Sequence, residues 1–126
     1  MRALRDAIGD AHAVLFAAPE YNYGVSGVLK NAFDWASRPA QASVLVDKAA
    51  SIIGASTGFV GTARAQLALR QHCLFTRTLV QPRPEVLVAR AAEKFDADLR
   101  LVHEETREFL RKHLLAFRDW IERVRR

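Results

Sequence analysis

Apolar residues fall along this chain in two kinds of block: spaced as one face of a helix, or run together as a buried strand. Leu4, Ala7 and Ile8 share one face of a short helix over 2–9, which Gly9 and Asp10 close. Ala13 to Ala18 is then a continuous apolar run ending at Pro19. Continuous rather than alternating hydrophobicity predicts a strand covered on both faces, as in a parallel sheet. Val28, Leu29, Ala32, Phe33 and Ala36 return to helical spacing over 27–37, with Ser26 placed to cap the first turn. Arg38-Pro39 ends that helix, and 39–48 reads as a loop.

Ala49 to Ile53 is a second buried strand, and a helix over 62–76 follows, with Thr62 as its expected cap. Thr78 to Val80 and Glu85 to Val88 make a third strand, which Pro82 and Pro84 interrupt and so place near a sheet edge. Residues 91–102 are polar and irregular. A helix from Glu104 to Val124 closes the chain, with Phe109, Leu110, Leu114, Phe117, Ile121 and Val124 as its apolar stripe. Helices alternating with buried strands predict an α/β sandwich around a parallel sheet. Ligands of such folds bind beyond the carboxyl ends of the strands.

Composition agrees with a single domain. The 126 residues are 50% hydrophobic and 26% charged, too apolar for disorder. No apolar run approaches the ~20 residues of a membrane span, so no membrane partner is expected. The one cysteine, Cys73, reads as a small core residue and favours a reducing, cytoplasmic setting. The four histidines have no ligand spacing, and no metal is expected.

The net charge of +5 suggests nucleic acid until it is divided along the chain. Residues 1–40 carry four basic and four acidic groups, 41–90 six and two, and 91–126 nine and eight, so the segments are 0, +4 and +1. The excess comes from Arg64, Arg70, Arg77, Arg83 and Arg90, spread singly and without a nucleic-acid motif. No nucleic-acid partner is expected. These arginines read either as solvated or oligomer-facing groups, or as an electropositive face for small anions.

Two loops follow the first and second strands and hold the unusual residues. Pro19-Glu20-Tyr21-Asn22-Tyr23-Gly24 is the first, and Gly54-Ala55-Ser56-Thr57-Gly58-Phe59-Val60-Gly61 the second. Aromatic faces, one carboxamide, hydroxyls and close-approaching backbone suit a flat heteroaromatic ligand. The plain alternative is a pair of well-packed turns with the tyrosines as surface cover.

The stretch from Pro19 through Glu20, Tyr21, Asn22, Tyr23, Gly24 and Val25 to Lys30-Asn31-Ala32-Phe33-Asp34-Trp35 closely resembles the signature of the NADPH-dependent FMN reductase family. That family includes flavodoxin-like quinone, chromate and azo-dye reductases. Residues 54–64 resemble its second flavin-contacting loop, and Pro84-Glu85-Val86 with 104–110 its carboxyl-terminal third. The resemblance implies a flavodoxin-like three-layer sandwich. It also implies FMN with its ring against the loop of Pro19, Glu20, Tyr21, Asn22 and Tyr23 and the loop of Ser56, Thr57, Gly58 and Phe59. NADPH or NADH would supply hydride, and a quinone, a flavin or a similar small acceptor would receive it. Because the flavin carries the redox chemistry, no catalytic side chain is assigned. Glu20, the one acidic residue of either loop, reads as a holder of the turn through backbone amides.

The sequence departs from the family pattern in three places. Ser26 stands where many relatives have proline. His103 stands where an aspartate often begins the last helix, and histidine is a poor cap, though Glu104 and Glu105 suit the helix dipole. The family's opening strand and its Gly/Ser-rich phosphate loop have no counterpart in 1–126. The expectation is therefore one amino-terminally truncated domain with about three strands, the family's third to fifth. Such a sheet exposes an apolar edge on strand 13–18, a template for association, and a homo-oligomer, dimer or tetramer, is expected. An alternative is an inactive remnant that oligomerises without flavin. A rival from another class is a serine hydrolase, since Gly54-Ala55-Ser56-Thr57-Gly58 matches G-x-S-x-G, and Asp96 or Asp98 and then His103 or His113 follow. The helix begins only after Gly61, and no oxyanion segment accompanies it, which disfavours that reading.

Overall fold

The computed structural model describes residues 2–125. Its elements follow the chain as α1 (Arg2–Asp10), β1 (Ala13–Ala17), β2 (Glu20–Tyr21), β3 (Gly24–Val25), α2 (Gly27–Ala36), β4 (Ala49–Ala55), α3 (Ala63–Phe75), β5 (Leu79–Val80), β6 (Val86–Val88) and α4 (Glu104–Val124). Single 3-10 turns occupy Ala40–Ala42 and Ala91–Glu93.

The parallel sheet is built around β4. On one side β1 pairs with it from Ala13↔Ala49 to Ala17↔Ile53. On the other, β5 covers the start of β4 (Ala49↔Leu79) and β6 its end (Ile53↔Val86), also in parallel. The third strand is thus one edge position in two pieces, with 82–85 leaving the ladder where Pro82 and Pro84 cannot donate to it.

Alternation along the strands sorts the core into two faces. Val14 and Phe16 of β1, Ala50 and Ile52 of β4 and Val80 of β5 pack with Ile8 of α1, Phe33 and Ala36 of α2, and Leu69 and Cys73 of α3. The Phe16 and Phe33 rings sit 5.9 Å apart in a tilted pair. Leu45 is fully buried in the same cluster, although its segment reads as loop in the sequence. α4 serves the opposite face, where His113 meets Ser51 of β4 and Trp120 Nε1 donates to the Leu79 carbonyl at 2.8 Å.

Four expectations need correction. β1 is not covered on both faces: Leu15 is 41% exposed and Ala17 is also exposed, because α4 lies over β4 and β6 and leaves the far face of β1 open. The buried line of α4 runs through Thr106, His113 and Phe117, while Phe109 and Leu114 are exposed. A polar residue, His113, holds the middle of that line because it faces a polar strand residue. Thr62 precedes α3 but does not cap it; its backbone is left-handed (φ 70°), and its hydroxyl accepts from Gln66 Nε2 instead. His103 does cap α4, its Nδ1 accepting from the Thr106 amide at 3.3 Å. The Ser26 cap holds as expected, accepting from the Leu29 amide, and Cys73 is buried with its thiol pushed up to about 12 by desolvation.

Candidate functional site

The loop after β1 folds back on itself as a minimal hairpin, with Glu20 pairing Val25 and Tyr21 pairing Gly24. Asn22 and Tyr23 form its tip, both with positive φ (50° and 69°). Two successive left-handed residues make the turn that matches strand twist, and asparagine is among the residues that tolerate it. The turn throws Tyr21, Asn22 and Tyr23 outward, and all three are exposed.

Glu20 points the other way, into the protein. Its carboxylate accepts from the Arg64 amide at 3.0 Å and the Ala65 amide at 3.2 Å, and pairs with the Arg64 guanidinium at 2.6 Å. The missing cap of α3 is therefore supplied from across the sheet, 44 residues earlier in the chain. Burial alone raises the carboxyl's pKa. The Ala65 amide, the Arg64 guanidinium and the Arg64 amide outweigh it and hold the group below the ordinary glutamate range. The turn-holding role expected of Glu20 is what its side chain performs, and Arg64 completes it by lying 3.6 Å from the centre of the Tyr23 ring.

The second loop leaves β4 beside the first. The Ala18 amide donates to the Ile53 carbonyl at 2.8 Å. A side chain at Gly54 would come within 2.7 Å of the Ala18 carbonyl and closer still to Thr62, so only glycine lets the two loops meet here. Gly61 is closed in the same way, by positive φ and by the Leu87 backbone. The Ser56 hydroxyl accepts from the Gly58 amide at 3.0 Å, curling the loop on itself. A third segment, after β6, fastens it from outside. Ser56 N–H donates to Val88, Arg90 N–H to Gly58 and Ala91 N–H to Ser56, each at 2.9 Å.

Residues 19–23 and 56–59 thus stand side by side at the carboxyl end of the sheet. Phe59 is 81% exposed, Tyr23 74% and Tyr21 65%. Among the described residues the side chains of Tyr21, Asn22, Tyr23 and Thr57 make no hydrogen bond within the protein. The result is an open shelf of ring faces, with polar groups at its edge and backbone amides close beneath. A groove also lies between α2 and α3 at Phe33, His72 and Phe75. The donors and ring faces on the shelf fit an isoalloxazine, which offers a flat π surface and a polar edge.

The residues of the hydrolase rival are kept apart. Ser56 Oγ serves Gly58, His103 serves Thr106, His113 contacts Ser51, and Asp96 accepts from the Asp98 and Arg100 amides. Of the five scattered arginines, Arg64, Arg70 and Arg77 each lie within 4 Å of a carboxylate, those of Glu20, Glu85 and Asp47. Arg90 is the site neighbour that the sequence does not tie to the loops; Arg64 ends the 54–64 motif, but its pairing with Glu20, 44 residues earlier, has no local sign. Among the described residues no helix is long and apolar enough to cross a membrane, and no group of three or more potential metal ligands occurs.

The family model of NADPH-dependent FMN reductases matches residues 1–93. An NAD(P)H-dependent FMN reductase of Pseudomonas aeruginosa is 47% identical over 121 residues, covering 96% of this chain and 65% of that protein. A 2-hydroxy-1,4-benzoquinone reductase of a Burkholderia species is 40% identical, covering 95% and 66%. Among solved structures, the flavoenzyme NAD(P)H:(acceptor) oxidoreductase FerB of Paracoccus denitrificans superposes with a TM-score of 0.88 at 39% identity, covering 97% of this chain and 67% of that one. The chain spans about two thirds of the length of the curated relatives it matches.

Proposed function

The chain belongs to the NADPH-dependent FMN reductase family, and from that premise we propose that it serves an NAD(P)H-dependent, FMN-containing oxidoreductase that reduces quinones, flavins or similar small acceptors. The single observation that carries the reading is the pair of adjoining loops, which present Tyr21, Asn22 and Thr57 outward with no side-chain hydrogen bond among the described residues, beside the exposed ring of Phe59. Bound FMN supplies the hydride chemistry, taken from a nicotinamide and delivered to the acceptor. The chain's own residues bind and orient. Pro19 to Tyr23 and Ser56 to Phe59 would hold the ring. Glu20 holds the first loop to α3, while its depressed pKa keeps it an anion and unsuited to proton delivery.

The exposure of Tyr21, Tyr23 and Phe59 suits broad acceptor use. A reducing cytoplasm suits the buried free thiol of Cys73. Exposed Val28 and Trp35 on α2 and Leu67, Leu74 and Phe75 on α3 support a homo-oligomer, dimer or tetramer. Sedimentation equilibrium at a mass above one 14.1 kDa chain checks that part.

Titration of the purified chain with FMN, followed by quenching of flavin fluorescence, tests the central reading. Saturable binding is expected. Asn22→Gly keeps the left-handed turn while removing the carboxamide, and is expected to weaken binding about two- to tenfold, the loss of one ordinary hydrogen bond. A chain that no FMN concentration saturates would mark a fold that carries no flavin.

A further inference from the structure

Two of the five arginines in the acid-poor middle of the chain, Arg83 and Arg90, form no ion pair among the described residues, and of these two Arg90 has its guanidinium over an aromatic ring. Arg64 is matched by Glu20, Arg77 by Asp47, and Arg70 donates to the Gln81 carbonyl with Glu85 beyond it. Arg90 is exposed and lies within 4 Å of no carboxylate among the described residues. Its guanidinium sits 5.3 Å from the centre of the exposed Phe59 ring. A cation over an aromatic face is oriented by the ring but keeps its charge and its outward N–H groups.

The backbone beneath this side chain is built to hold it there. Arg90 has φ 51°, a region where residues other than glycine, asparagine and aspartate are rare. Three hydrogen bonds, from Ser56 to Val88, Arg90 to Gly58 and Ala91 to Ser56, stitch the bend to the loop that carries Ser56 to Phe59. The position of Arg90 is therefore coupled to the shelf itself. Of the acidic residues that follow it in the chain, Asp96 is occupied by the Asp98 and Arg100 amides, and Glu93 forms no ion pair among the described residues.

We infer that Arg90, steadied by Phe59, is a specificity-determining residue that reads an anionic group carried by a flat aromatic ligand on this shelf. The inference rests on the flavin-reductase reading and adds to it the charge of the molecule that meets the flavin. A guanidinium suits phosphate, carboxylate and sulfonate alike through paired N–H donors. The anion has two possible sources: the 2′-phosphate that distinguishes NADPH from NADH, and an acidic substituent on the acceptor. One residue serves either, and measurement separates them.

Arg90→Asn removes the charge with a residue that tolerates the left-handed backbone, and Arg90→Lys keeps the charge. Calorimetric binding to the full FMN-loaded chain is measured for two matched pairs, NADP+ against NAD+ and a naphthoquinone sulfonate against the unsubstituted naphthoquinone. Arg90→Asn is expected to weaken the more anionic member of at least one pair about tenfold or more, the loss of a charge-assisted contact. Its less charged twin should move less than twofold, and Arg90→Lys should recover most of the loss. A selective effect on NADP+ identifies the coenzyme as the source, and one on the sulfonate identifies the acceptor. Equal shifts within both pairs, or none, overturn the inference while FMN binding stands. Failure of the wild-type chain to bind FMN overturns the flavin reading and this inference with it.

Discussion

The two faces of the sheet are held by different physics. Toward α1, α2 and α3 the contact is dry: Phe16, Ile52, Leu69, Phe33 and Cys73 interlock with few polar atoms. Toward α4 the centre is polar. Ser51 Oγ lies 2.9 Å from Gln81 Oε1 and 2.8 Å from His113 Nε2, while His113 Nδ1 lies 2.8 Å from the Pro84 carbonyl. Neutral His113 donates from Nδ1 to Pro84, leaving Nε2 to accept, so the single Ser51 proton is shared between the imidazole and the glutamine. Packing error on the first face leaves a void. On the second it leaves a buried polar group without a partner. The first face tolerates no loss of volume, and the second no loss of a partner.

The largest effect belongs to the dry face. Leu69 is fully buried in the cluster, and Leu69→Ala is expected to cost about 2–5 kcal/mol, the range for a buried leucine replaced by a void. Chemical denaturation of the pair measures it. A loss under 1 kcal/mol would mean that this face is looser than its burial implies.

The next effect belongs to the polar face and depends on pH. Burial lowers the pKa of His113, the Pro84 carbonyl offsets part of that, and Arg70 adds to the lowering. Burial, with Lys30, also lowers the pKa of His72. A histidine with a depressed folded pKa takes up its proton more readily when unfolded. Stability from such groups is therefore fully present above about pH 6.5, the unfolded value, and falls as pH drops below it. Glu20 adds a second, more acidic window, since its depressed pKa makes the unfolded state the better proton acceptor below about pH 4.5. His113→Ala is expected to cost about 1–3 kcal/mol at neutral pH by stranding Ser51 and the Pro84 carbonyl. It should also flatten the melting-temperature profile between pH 7.5 and 5.5. An unchanged slope would assign that window to His72 alone.

The dry face was legible in the sequence and the polar one was not, for a physical reason. Ile52, Leu69 and Phe33 announce themselves by hydrophobic spacing, and the three parallel strands follow from their apolar runs. Ser51 and His113 are polar residues 62 positions apart; the apolar run around Ser51 marks its strand as buried, but nothing local marks His113 as its partner. The same divide runs through the candidate site. The outward residues of 19–23 and 56–59 were readable because they sit in contiguous motifs. The capping of α3 by Glu20 was not, because the positive φ that disables Thr62 is invisible in a threonine. Arg90 was missed on the same ground. It is tied to the shelf through backbone atoms, which every residue possesses.

The smallest effect tests the edge of the comparison. Leu15 lies on the α4 side of β1, one residue from buried Phe16, yet it is 41% exposed because α4 does not reach it. Leu15→Thr keeps β-propensity while removing apolar surface that water already meets. It is expected to change stability by no more than about 0.5 kcal/mol, the usual range for exposed positions, and to raise solubility by breaking the apolar Ala13–Ala17 edge. The measurement is a denaturant midpoint at two protein concentrations. A loss approaching that of Leu69→Ala would mean that Leu15 is covered in solution. If the loss grew with protein concentration, the cover would be another copy of the chain, because mass action stabilises only an associated state in that way. In that event the open far face of β1 would be an interface, and the contrast between the faces would hold only for the isolated chain.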